Sequence, residues 1–510
     1  MSLSDPQSSV TSAERPQIPA RPQSAASERA VFMRIFWAWS VVLMLIVLAS
    51  TTYNPFTLTG AAVVIISSAL VPIYLWCRGK ALGLPLFPLF SLTFIWTHGL
   101  QLLINPSTFE NFPDDSIWLA AETVSGFLLL GTFVWFLIVR RPPAPRRRVL
   151  AISEGQGDAL FLAGLAISVV FIVVANADWL KIPVGIFSIV RGSVLALNVL
   201  SIFALSYRFG AGQLTLLQKI LFVILGVLYC ACTTVSLFLV AALSTFLMIV
   251  VGYTLGRGKV PWMLVAALFA IASLLHTGKS VMRDRYWSEE QQGHIIEPWK
   301  YPALYAEWFE VSLQELTASK EEEQQSILAR SSTLNLLLFV QAVSPRFLPF
   351  MEVETYRVVP EAMVPRFLLQ EKVGAHEGNV LMNMYYGKQT REAAETTTIG
   401  WGLLNEAYAN FGLAGCAMLA AFLAVFYGVV TRWSINLPLL SLPNLLTMLI
   451  MSFAIQTEYC ATVFASSLFQ SSISFVLVVW VFMKWQTLSP EGAIVPDRSL
   501  KLGPAPQALA

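Results

Sequence analysis

ILFVILGVLYCACTTVSLFLVAALSTFLMIVVGY, running from Ile220 to Tyr253, is a stretch of 34 residues without one charged side chain. An α-helix rises about 1.5 Å per residue and the hydrocarbon core of a bilayer is about 30 Å thick, so one span takes about 20 apolar residues. The stretch is too long for one span, and its break is expected near Cys232–Thr233.

The same rule, carried outward, places spans near Phe32–Ser50, Leu58–Cys77, Leu82–Ile104, Ser116–Val139 and Ala159–Asn176. Others fall near Val184–Tyr207, Leu214–Ala231, Thr234–Leu255 and Pro261–His276, and the last three near Gly400–Val430, Leu437–Thr457 and Thr462–Trp485. The chain therefore reads as an all-α polytopic membrane protein of about 12 spans. Residues 31–276 hold the first nine helices, 277–399 form a large, mostly helical hydrophilic segment, and 400–485 hold the last three. Composition agrees: 56% of residues are hydrophobic, 13% are charged and the mean hydropathy is +0.65. A soluble domain carries about 25% charged residues, so lipid must be part of the solvent here. The net charge of +2 gives no case for nucleic acid as a partner.

Basic residues set the orientation. With the N-terminus inside, the inner loops and helix ends hold Arg78, Lys80, Arg140, Arg141, Arg146, Arg147, Arg148, Arg208, Lys219, Arg257, Lys259 and Arg432. The short outer loops hold Glu110, Asp114 and Asp115 against Lys181. By the positive-inside rule both termini are cytoplasmic and the 277–399 segment is extracytoplasmic. Residues 1–30 and 486–510, polar and proline-containing, read as disordered cytoplasmic tails. Residues 1–30 lack the apolar core of a cleavable signal peptide, so the first helix serves as the insertion signal. The five cysteines all lie outside the large segment, and Cys230 and Cys232 have no partner ligands in the sequence around them.

Ionisable residues inside spans are functional candidates by default. His98, Glu122, Arg191, Glu406 and Glu458 each fall within a few turns of the outer end of a helix, which suggests a polar cavity open to the exterior. A proton-coupled transporter would place such groups near the midplane.

The second half of the large segment contains ARSSTLNLLLFVQAV (Ala329–Val343) and TYRVVPEAMVPRFLLQEKVG (Thr355–Gly374), and TTTIGWGLLNEAYANFGLAG (Thr396–Gly415) leads into the next span. Here the chain resembles the Wzy-type polymerases of O-antigen and exopolysaccharide repeat units. That family shows an Arg opening an apolar helix, an I-P-R-x-x-x-x-x-K-P-like element, and a G-E-x-Y-x-N-F-G-x-x-G-like element at a late span. The matching residues are Arg330; Val364, Pro365, Arg366 and Lys372; and Glu406, Tyr408, Asn410, Phe411, Gly412 and Gly415. Val373 stands where the family often has Pro, and Thr233–Ser236 lacks an Arg that many relatives carry there.

The resemblance implies a GT-C-like bundle in the bacterial inner membrane and an inverting glycosyltransferase that needs neither metal nor other cofactor. Its substrates would be oligosaccharides on polyprenyl pyrophosphate within the membrane lipid, and its partners a flippase and a chain-length regulator. A departing lipid pyrophosphate needs fixed cations, and Arg binds phosphate oxygens in pairs. Arg191, Arg330, Arg366 and Lys372 are the candidates for that clamp. The acceptor hydroxyl needs a proton acceptor, for which Glu406 and His376 are candidates, with Tyr408 and Asn410 shaping the sugar site. Glu406 has a structural alternative, pairing with an Arg to anchor the loop. Gly412 and Gly415 read as close-packing positions between helices. Trp287, Trp299, Tyr301, Tyr305 and Trp308 are either sugar-stacking platforms or an interfacial belt. Asp114–Asp115 is a weak hint of a metal-dependent transferase. An O-antigen-type ligase, moving the same donor to a lipid acceptor, remains open through His376, as do a lipid-linked oligosaccharide transporter and a non-catalytic assembly subunit.

Overall fold

Several long helices begin where proline fixes the backbone. Pro55, Pro113 and Pro183 each stand directly before one, with φ of −55°, −58° and −53°, as the ring imposes. The computed structural model describes residues 24–152, 157–179, 181, 183–237, 239–286, 296–317, 333–364, 368–369, 372–396 and 399–488.

The first half holds α1 (Ser24–Ser50), α2 (Phe56–Cys77), α3 (Leu86–Phe94), α4 (Leu100–Ile104), α5 (Asp114–Val139) and α6 (Asp158–Asn176), with a π-turn at Ile95–Gly99 joining α3 to α4. It continues with α7 (Val184–Gly210), α8 (Leu216–Thr234), α9 (Leu239–Arg257), α10 (Trp262–Thr277) and α11 (Lys279–Tyr286). The large segment supplies α12 (Tyr301–Thr317), α13 (Thr333–Val343), α14 (Glu354–Arg357), α15 (Val359–Met363), α16 (Glu377–Tyr385) and α17 (Arg391–Thr396). The chain then re-enters the bundle with α18 (Leu403–Ser434), α19 (Leu442–Ala454) and α20 (Ala461–Phe482).

Among the described residues nine helices are long and apolar enough to cross a membrane, and α10 with α11, bent by 50°, makes a tenth if the pair is one span. This is the all-helical architecture of a polytopic membrane protein. Each of the expected span positions holds a helix, but α9 and α19 are short for a crossing. The long apolar stretch breaks between Thr234 and Leu239. Just before the break the Thr233 and Thr234 hydroxyls donate back to the Tyr229 and Cys230 carbonyls at 3.0 and 3.1 Å, bonds that bend and slightly weaken a helix.

Bundle packing relies on close backbone approach. A Cβ at Gly256 would lie 2.2 Å from the Tyr207 carbonyl oxygen, and one at Gly210 only 2.4 Å from that of Tyr253. Glycine at both positions lets α7 and α9 pack directly against each other, as small residues do where no hydrophobic drive separates helix from lipid. At the far end from the 277–399 segment, β1 (Arg148–Ala151) pairs antiparallel with β2 (Lys484–Thr487), Arg148 opposite Thr487. Arg432 donates to the Ile138 and Arg141 carbonyls at 2.7 and 3.3 Å beside them. The tails expected at 1–30 and 486–510 lie largely outside the described residues, though α1 already begins at Ser24.

The large segment does not lie wholly outside the bundle. Its apolar helix α13 enters the bundle, with Leu337 and Leu338 fully buried, and packs against α5 and α18. Eleven residues rise about 16 Å, half a bilayer core. The helix is polar-anchored at its ends: Thr333 Oγ1 donates to the Thr97 carbonyl at 3.1 Å, and Gln341 Nε2 to Thr123 Oγ1 at 2.9 Å. A second correction concerns the aromatic residues. Trp308 is fully buried with its indole N–H on the Leu275 carbonyl at 2.8 Å, and Tyr305 donates to the Ala231 carbonyl. With Tyr301 they form a separate small core that docks α12 on α8, α10 and α11, so they are neither belt nor sugar platform. Trp299 is exposed and faces the exposed Trp179 at 6.3 Å, and Trp287 lies outside the described residues. Asp114 and Asp115 sit in the first turn of α5, where the helix dipole favours carboxylates.

Candidate functional site

Two neighbouring arrangements at the segment end of the bundle contain most of the sequence candidates. One is buried around Glu406 in the first turns of α18; the other is a basic patch around His376.

Asn-Phe-Gly breaks α18. Gly412 has φ 62° and ψ −145°, a conformation open to glycine almost alone. The break frees the Ala409 and Asn410 carbonyls, which accept the Met351 and Glu352 N–H groups at 2.9 and 3.0 Å. A Cβ at Gly415 would lie 2.2 Å from the Ala407 carbonyl of the same helix. Gly412 and Gly415 thus serve a sharp turn within one helix rather than packing between helices.

That turn presents Glu406 to the start of α20. Its carboxylate is fully buried, and Oε2 accepts the Ala461 N–H at 2.5 Å, at the positive end of the α20 dipole. Asn410 Nδ2 donates to Thr355 Oγ1 and to the Glu406 carbonyl, both at 2.8 Å. The Thr355 hydroxyl lies beside the Glu406 carboxylate, so its proton is available to it. Burial and the Glu406 charge push the nearby Tyr356 phenol above its ordinary value, so it stays protonated. No Arg or Lys pairs with Glu406 among the described residues. Among the described residues it anchors a helix start and pairs with no Arg. Tyr408 and Asn410 are buried as well, Tyr408 against Phe350 at 6.1 Å between ring centres, and neither lines an open groove.

Above this floor runs α16. Gly378 donates its N–H to Thr462 Oγ1 at 3.2 Å, and a Cβ there would fall 3.5 Å from Glu406 Oε1. Asn383 Oδ1 accepts the Trp401 indole N–H at 2.8 Å, and Glu377 is clamped by Arg391 through contacts of 2.7 and 3.3 Å. These fix His376, which precedes the helix and is exposed at the surface. Crowding by the surrounding protein, and secondly the Arg191 guanidinium, hold its imidazole below the usual 6.5. It is neutral at pH 7 and able to accept a proton.

Arg191 also reaches Tyr459 electrostatically, beside Glu458. The Glu458 carboxylate in turn faces Lys279 and Arg283 of α11, which act on His276. Arg283 donates to the Leu237 carbonyl at 3.1 Å. Arg191 thus lies within electrostatic reach of His376 and Tyr459, and Lys279 and Arg283 within reach of Glu458 and His276. Lys279 and Arg283 escaped the sequence reading. The signal was present: T-G-K-S-V-M-R-D-R follows a span directly, with basic residues at a span end where the expected orientation disfavours them.

No family model, curated protein or solved structure matches this chain.

Arg330 and Arg366 lie outside the described residues, and Lys372 is half-buried next to Val373, whose N–H donates to Glu361 Oε1 at 3.1 Å. The ionisable span residues do not converge on one cavity. His98 and Glu406 are buried in separate places, whereas Glu122, Arg191 and Glu458 are exposed.

Proposed function

We propose that this chain is a Wzy-type glycan polymerase: an inverting, metal-independent glycosyltransferase joining oligosaccharide units carried on polyprenyl pyrophosphate. The observation that carries the reading is a set of basic groups, Arg191 near the exposed His376 and Lys279 with Arg283 near Glu458, at the bundle end that bears the large segment. Such a set suits a lipid pyrophosphate, whose negative charge grows as its bond to the sugar breaks. In the step, the acceptor hydroxyl oxygen bonds to the anomeric carbon and the C–O bond to pyrophosphate breaks. The electron pair leaves with the pyrophosphate, and the hydroxyl proton passes to His376. Arg191, Lys279 and Arg283 hold the leaving group, with Arg330, Arg366 and Lys372 as further candidates. Glu406 keeps the floor in place.

The finer architecture belongs to the same proposal: about 12 spans in a GT-C-like bundle, both termini cytoplasmic, in a bacterial inner membrane. Its support is the gathering of Arg140–Arg148, Arg432 and Lys484 at the opposite end. A flippase and a chain-length regulator would be the partners.

A ligase reading shares the donor, and the position of His376 in the patch favours it second. The deciding measurement is the glycan carried on polyprenyl pyrophosphate in cells lacking the gene, or carrying His376→Ala or Arg366→Ala with membrane insertion checked. Accumulated single repeat units support polymerisation. Full-length chains that stay on the carrier mean ligation, and an unchanged carrier pool removes both readings.

A further inference from the structure

A cavity inside the bundle, separate from the patch, is lined by His98, Asn405, Tyr427, Thr333 and Gln456 among aromatic side chains. His98 sits in the π-turn between α3 and α4 with its ring on Phe94, 4.7 Å between centres. Thr97 fixes its tautomer. The Thr97 hydroxyl donates its one proton to the Thr93 carbonyl at 2.9 Å, while its oxygen lies 2.8 Å from His98 Nδ1. That oxygen can only accept, so Nδ1 carries the proton and Nε2 of the neutral ring presents a lone pair.

Asn405 is fixed by the same logic. Its amide nitrogen donates to the Thr333 and Trp401 carbonyls at 2.7 and 2.8 Å, which leaves Oδ1 as an acceptor. His98 Nε2, Asn405 Oδ1 and the Tyr427 hydroxyl are all buried without a hydrogen-bond partner among the described residues. His98, Asn405 and Tyr427 are 4%, 1% and 0% exposed. Apolar cavities stay dry, but buried groups of this kind recruit water where there is room for it, and this cavity has room for water.

We infer that the cavity is a water-binding site. Ordered water donates to His98 Nε2 and to Asn405 Oδ1, and it accepts the Tyr427 hydroxyl proton. Water supplies what each of the three lacks, a donor for the two bare acceptors and an acceptor for the hydroxyl. The site links the π-turn and the C-terminal third of α18 to the turn that carries Glu406, through its neighbour Asn405. It does not rest on the polymerase reading.

Tyr427→Phe tests this with one atom removed, and His98→Phe keeps a ring to stack on Phe94. If water occupies the site, each change deletes a satisfied hydrogen bond, and the Tm of the full-length protein in detergent falls by a few degrees in each case. If the cavity is dry, each change removes an unsolvated polar group, and Tm stays level or rises. Tyr427→Phe alone decides the point should His98→Phe fail to fold. An experimental structure that resolves solvent must also show density within hydrogen-bond distance of His98 Nε2, and an empty cavity there overturns the inference.

Discussion

Gly412→Ala isolates the turn on which the Glu406 region depends. At φ 62° and ψ −145° the residue lies in a backbone region costing a side chain about 1–3 kcal/mol. The new methyl would also stand 2.8 Å from Phe350 Cζ, so the ring must shift, at a cost on the order of 1 kcal/mol. Lower entropy of the unfolded alanine chain returns about 0.4–1 kcal/mol. The net expectation is a loss of about 1–4 kcal/mol by the sum of these effects. The control is Gly126→Ala in α5, where a Cβ meets nothing within 4 Å and φ is ordinary, so that alanine is neutral or stabilising by up to about 1 kcal/mol. Equilibrium unfolding of the purified protein in mixed micelles compares the two. Hydrogen exchange adds a local readout, because the Met351 and Glu352 amides are bonded to carbonyls that the turn frees. The reasoning fails if Gly412→Ala unfolds with the wild type and leaves both amides equally protected.

Thr355→Val keeps the shape and removes the hydroxyl between Asn410 and Glu406. A loss of about 1–3 kcal/mol is expected, with Thr355→Ser close to wild type; equal melting of the two variants would count against the bridge. His376 supplies a pH signature. Its folded pKa lies below the ordinary 6.5, so its contribution to stability is complete above 6.5 and is lost as pH falls from there toward the folded value. His376→Gln should flatten the pH dependence of Tm in that acidic window, and Arg191→Gln should narrow it by removing a repelling charge. A window unchanged in both variants would show that the imbalance lies elsewhere.

Hydropathy made the bundle legible because each span carries its own evidence. Ile220–Tyr253 announces two helices through length alone, and the threonines at 233 and 234 mark the break. The same criterion cannot read α13. TLNLLLFVQAV is too short to span, and its burial depends on Thr97, Thr123 and Asn405, which are distant in sequence. Tyr305 and Trp308 fail for a related reason: aromatic residues beside a membrane look alike whether they face lipid, sugar or another helix, and only the Ala231 and Leu275 carbonyls decide.

The site was half legible for a reason of chemistry. The Glu406 motif was visible as a cluster of polar residues at a span entrance, but an isolated acid reads equally as base or anchor. The contacts favour the anchor. A carboxylate with no exposed surface, fixed by the Ala461 N–H beside a threonine hydroxyl, cannot meet a sugar hydroxyl without the turn opening. His376 has the opposite profile: exposed, neutral and beside Arg191. Gly378 joins the two, because its missing side chain lets α16 rest on Thr462 and Glu406. The buried acid therefore acts on the patch at one remove. It fixes the start of α20, α20 seats α16, and α16 fixes where the imidazole stands.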